Sequence, residues 1–155
     1  KMQQVGGATS ITGVQAKYFL KLGVFHLDND VLWQATTSPQ VRIPTWATTH
    51  AIYLEAKLFK KKLLINAGVD VRYLSAFERQ GYSPMTFNFF NADGAESSSM
   101  FTYDAFISYK IRLLRGFIRV DNINNIYDKK AQYQIDQYPI DKFAIKFGFD
   151  WIFNN

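Results

Sequence analysis

Two histidines and no cysteine leave this chain few groups for covalent or metal chemistry. The first candidate constellation is His26, Asp28 and Asp30. An imidazole and two carboxylates are a donor set for a divalent cation. On a strand these residues share a face, but i and i+4 lie about 13 Å apart, too far for one ion. The trio therefore reads as a wet wall, with no metal. Nucleophilic catalysis needs a base within reach of its nucleophile. His26 stands beside an expected turn, and His50 falls on an apolar row near Trp46, so neither is placed as that base. The expectation is a non-enzyme without cofactor. The absence of cysteine excludes a disulfide framework, a thiolate zinc site and a cysteine nucleophile. The net charge of +5 sits partly in two short runs, Lys60–Lys62 and Lys129–Lys130. No basic stripe interleaves with stacking aromatics, which argues against nucleic acid.

The chemistry that remains is electrostatic. Glu55, Lys57, Asp70, Arg72, Asp104, Lys110, Arg112, Arg119, Asp121, Lys146 and Asp150 alternate with apolar residues, so each group shares one face of its segment. Acids and bases on these rows nearly cancel. Such rows can line a lumen and set ion preference by their local field. They can equally form cross-strand ion pairs that fill a narrow interior. The expected neighbours are Glu55 and Lys57 with Asp70 and Arg72, and Asp104, Lys110 and Arg112 with Arg119 and Asp121.

The elements that must carry these residues are strands. From Leu63 to Phe77 the odd positions are mainly apolar, while Asn66, Asp70 and Arg72 lie opposite. The same period of two runs through Val14–Leu20, Phe25–Trp33, Ile52–Leu58, Phe101–Leu113, Gly116–Asp121 and Phe143–Phe153. After Asp121 register is lost around Asn122–Asn125, as a bulge or early strand end would cause. About seven strands of about 11 to 16 residues follow, against a usual mode of about 5 to 6. Their connections alternate. Lys21–Gly23, Lys60–Lys62 and Leu113–Gly116 leave room only for tight turns, whereas Ser38–Pro44, Gln80–Ser99 and Asp128–Asp141 are long. In an up-and-down meander all the tight turns then fall at one end, as in outer-membrane barrels.

The fold class expected is all-β, an antiparallel up-and-down transmembrane β-barrel segment over residues 1–155 with no separate soluble domain. No apolar run is long enough for a membrane helix. Aromatics reach 17% while mean hydropathy is only −0.15. A soluble barrel would turn its apolar face inward. Lipid is favoured by charges of both signs along the opposite rows. It is favoured also by aromatics at both ends of the apolar rows: Trp46, Phe101, Tyr103 and Phe143 toward the long loops, Trp151 and Phe153 toward the turns. An odd set of strands cannot close alone, so the chain is expected to be the C-terminal part of a larger barrel. The alternative is an eighth strand in Lys1–Gly7.

These residues resemble a family. Val41–Pro44 (VRIP), Leu58–Phe77 (LFKKKLLINAGVDVRYLSAF), Tyr82–Phe90 (YSPMTFNFF), Tyr103–Asn125 and Tyr138–Asn155 (YPIDKFAIKFGFDWIFNN) look like the end of the putative porin family of the Bacteroidota outer membrane. The resemblance covers about residues 22 to 155 and carries no catalytic motif. It implies an outer-membrane barrel longer than this chain, passing small polar solutes passively. Its partners would be outer-membrane lipid, the barrel assembly machinery through the aromatic-ended last strand, and other outer-membrane proteins. Two alternatives stay open: a structural barrel subunit of a secretion or assembly complex, and the end of a TonB-dependent receptor. The latter also close on an Asn-rich strand, a Tyr-Pro loop and an aromatic last strand, to which Asn122–Tyr127 and Tyr138–Phe153 would correspond.

Overall fold

The computed structural model describes residues 8–96, 99–127 and 132–153. Lys1–Gly7, and with it the proposed eighth strand, lies outside the described residues, as does the pair Lys129 and Lys130. The described residues form eleven strands: β1 (Ile11–Leu22), β2 (Phe25–Thr36), β3 (Trp46–Leu58), β4 (Leu63–Leu74), β5 (Glu78–Ser83), β6 (Asn88–Glu96), β7 (Met100–Ile111), β8 (Leu114–Asp121), β9 (Tyr133–Ile135), β10 (Tyr138–Pro139) and β11 (Ala144–Trp151). Seven of them make one antiparallel sheet in the order β1-β2-β3-β4-β7-β8-β11. The remaining four are two small hairpins, β5-β6 and β9-β10, carried within the connections β4–β7 and β8–β11. Sheet neighbours are thus always successive, which is the expected meander.

The tight connections all lie at one end. Gly23, in the left-handed region at φ 63°, turns β1 into β2. Phe59, Lys60 and Lys61 take φ of 51°, 56° and 68° between β3 and β4. Left-handed backbone costs a non-glycine residue about 1–2 kcal/mol, so the paired strands must hold this turn in place. Between β7 and β8 the turn is Arg112–Leu113, one step earlier than expected, with Arg112 at φ 51°. At the other end stand the long connections. That from β4 to β7 is less irregular than its composition suggests, because Glu78–Ser83 and Asn88–Glu96 pair as a hairpin.

Three sheet strands are shorter than expected. β8 stops at Asp121, where Asn122 turns left-handed (φ 54°) and a short 3-10 turn, Ile123–Ile126, follows. That is the early strand end anticipated near Asn122. β4 likewise ends at Leu74, not Phe77, and Phe143 and Phe153 flank β11 without joining it.

Register shows the strands to be tilted. A single cross-strand row runs through Tyr18, Asn29, His50, Val71 and Tyr103. It starts toward the turn end of β1 and finishes toward the loop end of β7. Such stagger is what a sheet needs in order to curl toward a barrel.

Burial runs opposite to that of a water-soluble fold. On the apolar rows Phe147 is 79% exposed, Phe149 76% and Ile118 47%, whereas on the charged rows Asp104 is 3% exposed and Asp121 9%. No large side chain among the described residues is fully buried. A soluble sandwich or barrel derives its stability from an apolar core; here the packed face is the polar one.

Candidate functional site

Directly opposed residues on neighbouring strands share a face, so the register assembles the polar face row by row. One row is acidic: Asp28 on β2, Asp70 on β4, Asp104 on β7 and Asp121 on β8. Ala51 lies between Asp28 and Asp70. The next row toward the turns carries His26, Tyr53, Gly68, Phe106, Arg119 and Lys146. The two rows interlock through Arg119. Its Nη1 donates to Asp70 Oδ2 at 3.0 Å, its Nη2 to Asp104 Oδ2 at 2.7 Å and its Nε to Asp121 Oδ1 at 2.6 Å. One guanidinium thereby uses its planar fork to bind carboxylates from three strands. Arg72 adds a second cation to Asp104 at 3.2 Å, and Lys146 a second to Asp121 at 2.5 Å. The Asn122 backbone N–H donates to Asp104 Oδ1 at 2.8 Å, so the buried carboxylate is also tied to the end of β8.

Glycine makes room for this packing. At Gly68 an added Cβ would stand 2.4 Å from the Ile52 carbonyl oxygen and 2.4 Å from Tyr53 Cβ. Tyr53 in turn stacks on His26 at 4.8 Å between centroids and donates its hydroxyl to Asp28 Oδ2 at 3.2 Å. Farther along, Asp30 accepts from Gln15 Nε2 at 2.7 Å and pairs with Lys17 at 3.3 Å.

The ladder anticipated between β3 and β4 does not form. Asp70 faces Ala51 and Arg72 faces Thr49, while Glu55 faces Asn66 and Lys57 faces Leu64. Glu55 and Lys57 are displaced toward the turns, and Arg72 turns to β7. The second expected group forms only in part: Asp104, Arg119 and Asp121 meet, but Lys110 stands opposite Arg115, and Arg112 has left the strand for the turn. Glu55, Lys57, Lys110 and Asp150 make no ion pair with the described residues. Glu55, Lys110 and Asp150 line an open cavity of about 620 Å3 near the turn end, with Asn66, Ser108 and Phe117.

The loop end is roofed. Arg42, in the β2–β3 connection, pairs with Glu78 at 3.1 Å and donates to the Arg79 carbonyl at 2.8 Å. Gln80 accepts from the Asp136 backbone N–H at 2.9 Å, Arg79 lies over the Tyr133 ring at 5.3 Å, and Tyr82 meets Tyr138 edge-on at 5.9 Å. All three long connections are thus joined. Between the β9-β10 hairpin and the polar face of β1, β2, β3, β4 and β7 lies a second open cavity, of about 730 Å3.

The aromatics named from sequence all stand on or beside the apolar rows and are exposed, in two clusters. Phe101 meets Tyr73 at 4.6 Å and Tyr103 at 6.1 Å toward the loops, the end where Trp46 and Phe143 also sit. Trp151 stacks on Phe153 at 5.4 Å toward the turns. Sequence reasoning missed Arg115 and Phe117 on the polar face: Arg115 fell within the expected turn, and Phe117 is an apolar residue on the polar row. It also missed that His50, already noted on an apolar row, is partnered: its Nδ1 lies 2.6 Å from Asn29 Oδ1. With the carbonyl as acceptor, the ring donates from Nδ1.

A family model described as putative porin matches residues 1–155, the whole chain. No curated protein and no solved structure matches it.

Proposed function

The chain belongs to this porin family, and we propose that it forms barrel wall in the bacterial outer membrane whose charged face lets small polar solutes diffuse across. The observation that carries the reading is the inverted burial: exposed Phe and Ile rows on one face, packed Asp and Arg rows on the other. Lipid solvates the first, and a wet lumen tolerates the second. The two aromatic clusters stand where an interfacial girdle would be. Open lumen-side cavities, lined by charged and amide groups, give solutes a polar route. No chemistry is needed for this, and no cofactor enters it. The partners of the reading are outer-membrane lipid, and the barrel assembly machinery acting on the aromatic-ended β11.

The test is single-channel conductance of the complete native protein in a planar bilayer. Stable stepwise currents are expected. Arg72 and Arg112 are poor probes of selectivity, since Arg72 is held by Asp104 and Arg112 sits in a turn. Lys57 and Lys110 are better ones. Lys57→Glu with Lys110→Glu should move the reversal potential toward cation preference by strengthening the local negative field. An unmoved reversal potential removes these residues from the conduction path.

A second reading has one observation in its favour. The Arg119 network and the joined loops neutralise and cover much of the polar face, as a filled structural barrel would. Silence from a correctly folded barrel would favour that subunit role in a larger outer-membrane complex.

A further inference from the structure

The roofed cavity differs in character from the rest of the polar face, and we infer that it is a binding site for a neutral saccharide. The inference rests on the solute-passage reading above and names the solute class. The cavity's about 730 Å3 falls within the range of about 300–1,000 Å3 typical of small-molecule sites. Its lining is rich in amides and hydroxyls: Gln15, Thr49, Thr102, Asn122, Gln134 and Tyr138. Gln15 and Asn122 already donate to Asp30 and the Asp141 carbonyl, but the set as a whole still combines donor and acceptor types, as a polyol requires.

The charges at its edge are already answered from within the protein. Asp30 is held by Gln15 and Lys17. Arg72 is held by Asp104. A charged solute would have to break these pairs to be recognised, whereas a neutral one need not. Asp141 also lines the cavity, and its main-chain carbonyl accepts from the side chains of Asn122 and Asn125. Leu32, Leu74 and Met100 lie on the same sheet face, one row toward the loops from Thr49 and Thr102, and Ile140 follows the hairpin. Apolar groups interleaved with hydrogen-bonding ones suit a sugar ring, which carries C–H bonds on its faces and hydroxyls at its edge. Position strengthens the case. The hairpin that supplies Gln134 and Tyr138 comes from the loop end, so a solute entering there meets this cavity before it reaches the Arg119 network.

The test uses the complete native protein and two readouts, with maltotriose as the probe and triglycine as a zwitterion of comparable size. In a planar bilayer, maltotriose should interrupt the ion current in a saturable way, and triglycine should not. In detergent, calorimetric titration with maltotriose should give saturable binding. Gln134→Ala should weaken it about tenfold, the scale of one or two lost hydrogen bonds. Thr49→Val, on β3 and independent of how the hairpin folds, should weaken it as well. Channels without maltotriose binding would overturn the site and leave passage standing. Binding without channels would overturn passage and leave the site. Block by triglycine alone would assign the cavity to zwitterions and overturn the inference.

Discussion

At the scale of single residues, the polar face depends on Arg119 more than on any other cation. Three carboxylates from β4, β7 and β8 converge on it, and Asp104 is almost wholly withdrawn from solvent. Removing one partner of a buried pair leaves an uncompensated charge, at a cost of about 3–5 kcal/mol. Arg119→Gln should therefore destabilise the folded barrel by about that much, read from its urea midpoint in detergent micelles. Lys110→Gln removes the same charge from the same face but breaks no ion pair, and should change stability by less than about 0.5 kcal/mol. Equal losses for the two variants would mean that the lumen senses only net charge and that the network is not a structural tie.

At the scale of elements, much is legible in the sequence, and the reason is the period. Alternation is a local property, so Leu63–Leu74 and Met100–Ile111 declare both their strand character and their two faces residue by residue. Turn and loop ends were legible for the same reason. Register was not. Whether Arg72 meets Glu55 or Asp104 depends on the turn through Phe59–Lys61 and on how Ser75–Ser99 folds back, and a shift of two residues keeps every face while changing every partner. The hairpin β5-β6 was hidden because Ser, Asn and Gly obscure its short alternation. Close packing between strands was equally invisible, and it separates two glycines that look alike in the sequence. A Cβ on Gly68 would strike the backbone carbonyl of Ile52, while one on Gly116 would strike the outer atoms of the Tyr109 ring. A ring can swing aside and a paired strand cannot. Gly68→Ala should cost about 1–3 kcal/mol, the usual range for overpacking, and Gly116→Ala distinctly less, when thermal unfolding of the two is compared. The opposite order would show that the β3–β4 pair is looser than its register implies.

At the scale of the whole molecule, the decisive property is which face meets lipid. Both faces are regular, both are long enough to cross a bilayer, and alternation is blind to their orientation. Burial supports the proposed orientation, because among the described residues the charged side chains pack on one another while many aromatic and aliphatic ones are exposed. In water such an arrangement would expose far more apolar surface than a monomer carries; in a bilayer the same rows are solvated by acyl chains. The consequence can be measured position by position in the complete native protein reconstituted in lipid vesicles. Cysteines introduced at Ile107, Ile118 and Phe147 should resist a membrane-impermeant maleimide, and cysteines at Ser108, Lys110 and Lys146, on the adjoining rows of the same strands, should react. Reaction rates should alternate along the turn-side half of β7 with the two-residue period of its side chains, rising at Ser108 and Lys110 and falling at Ile107 and Tyr109. Uniform reactivity along β7 would place both faces in water and remove the membrane from the argument. An alternation of opposite phase would describe a soluble barrel with its aromatics inside.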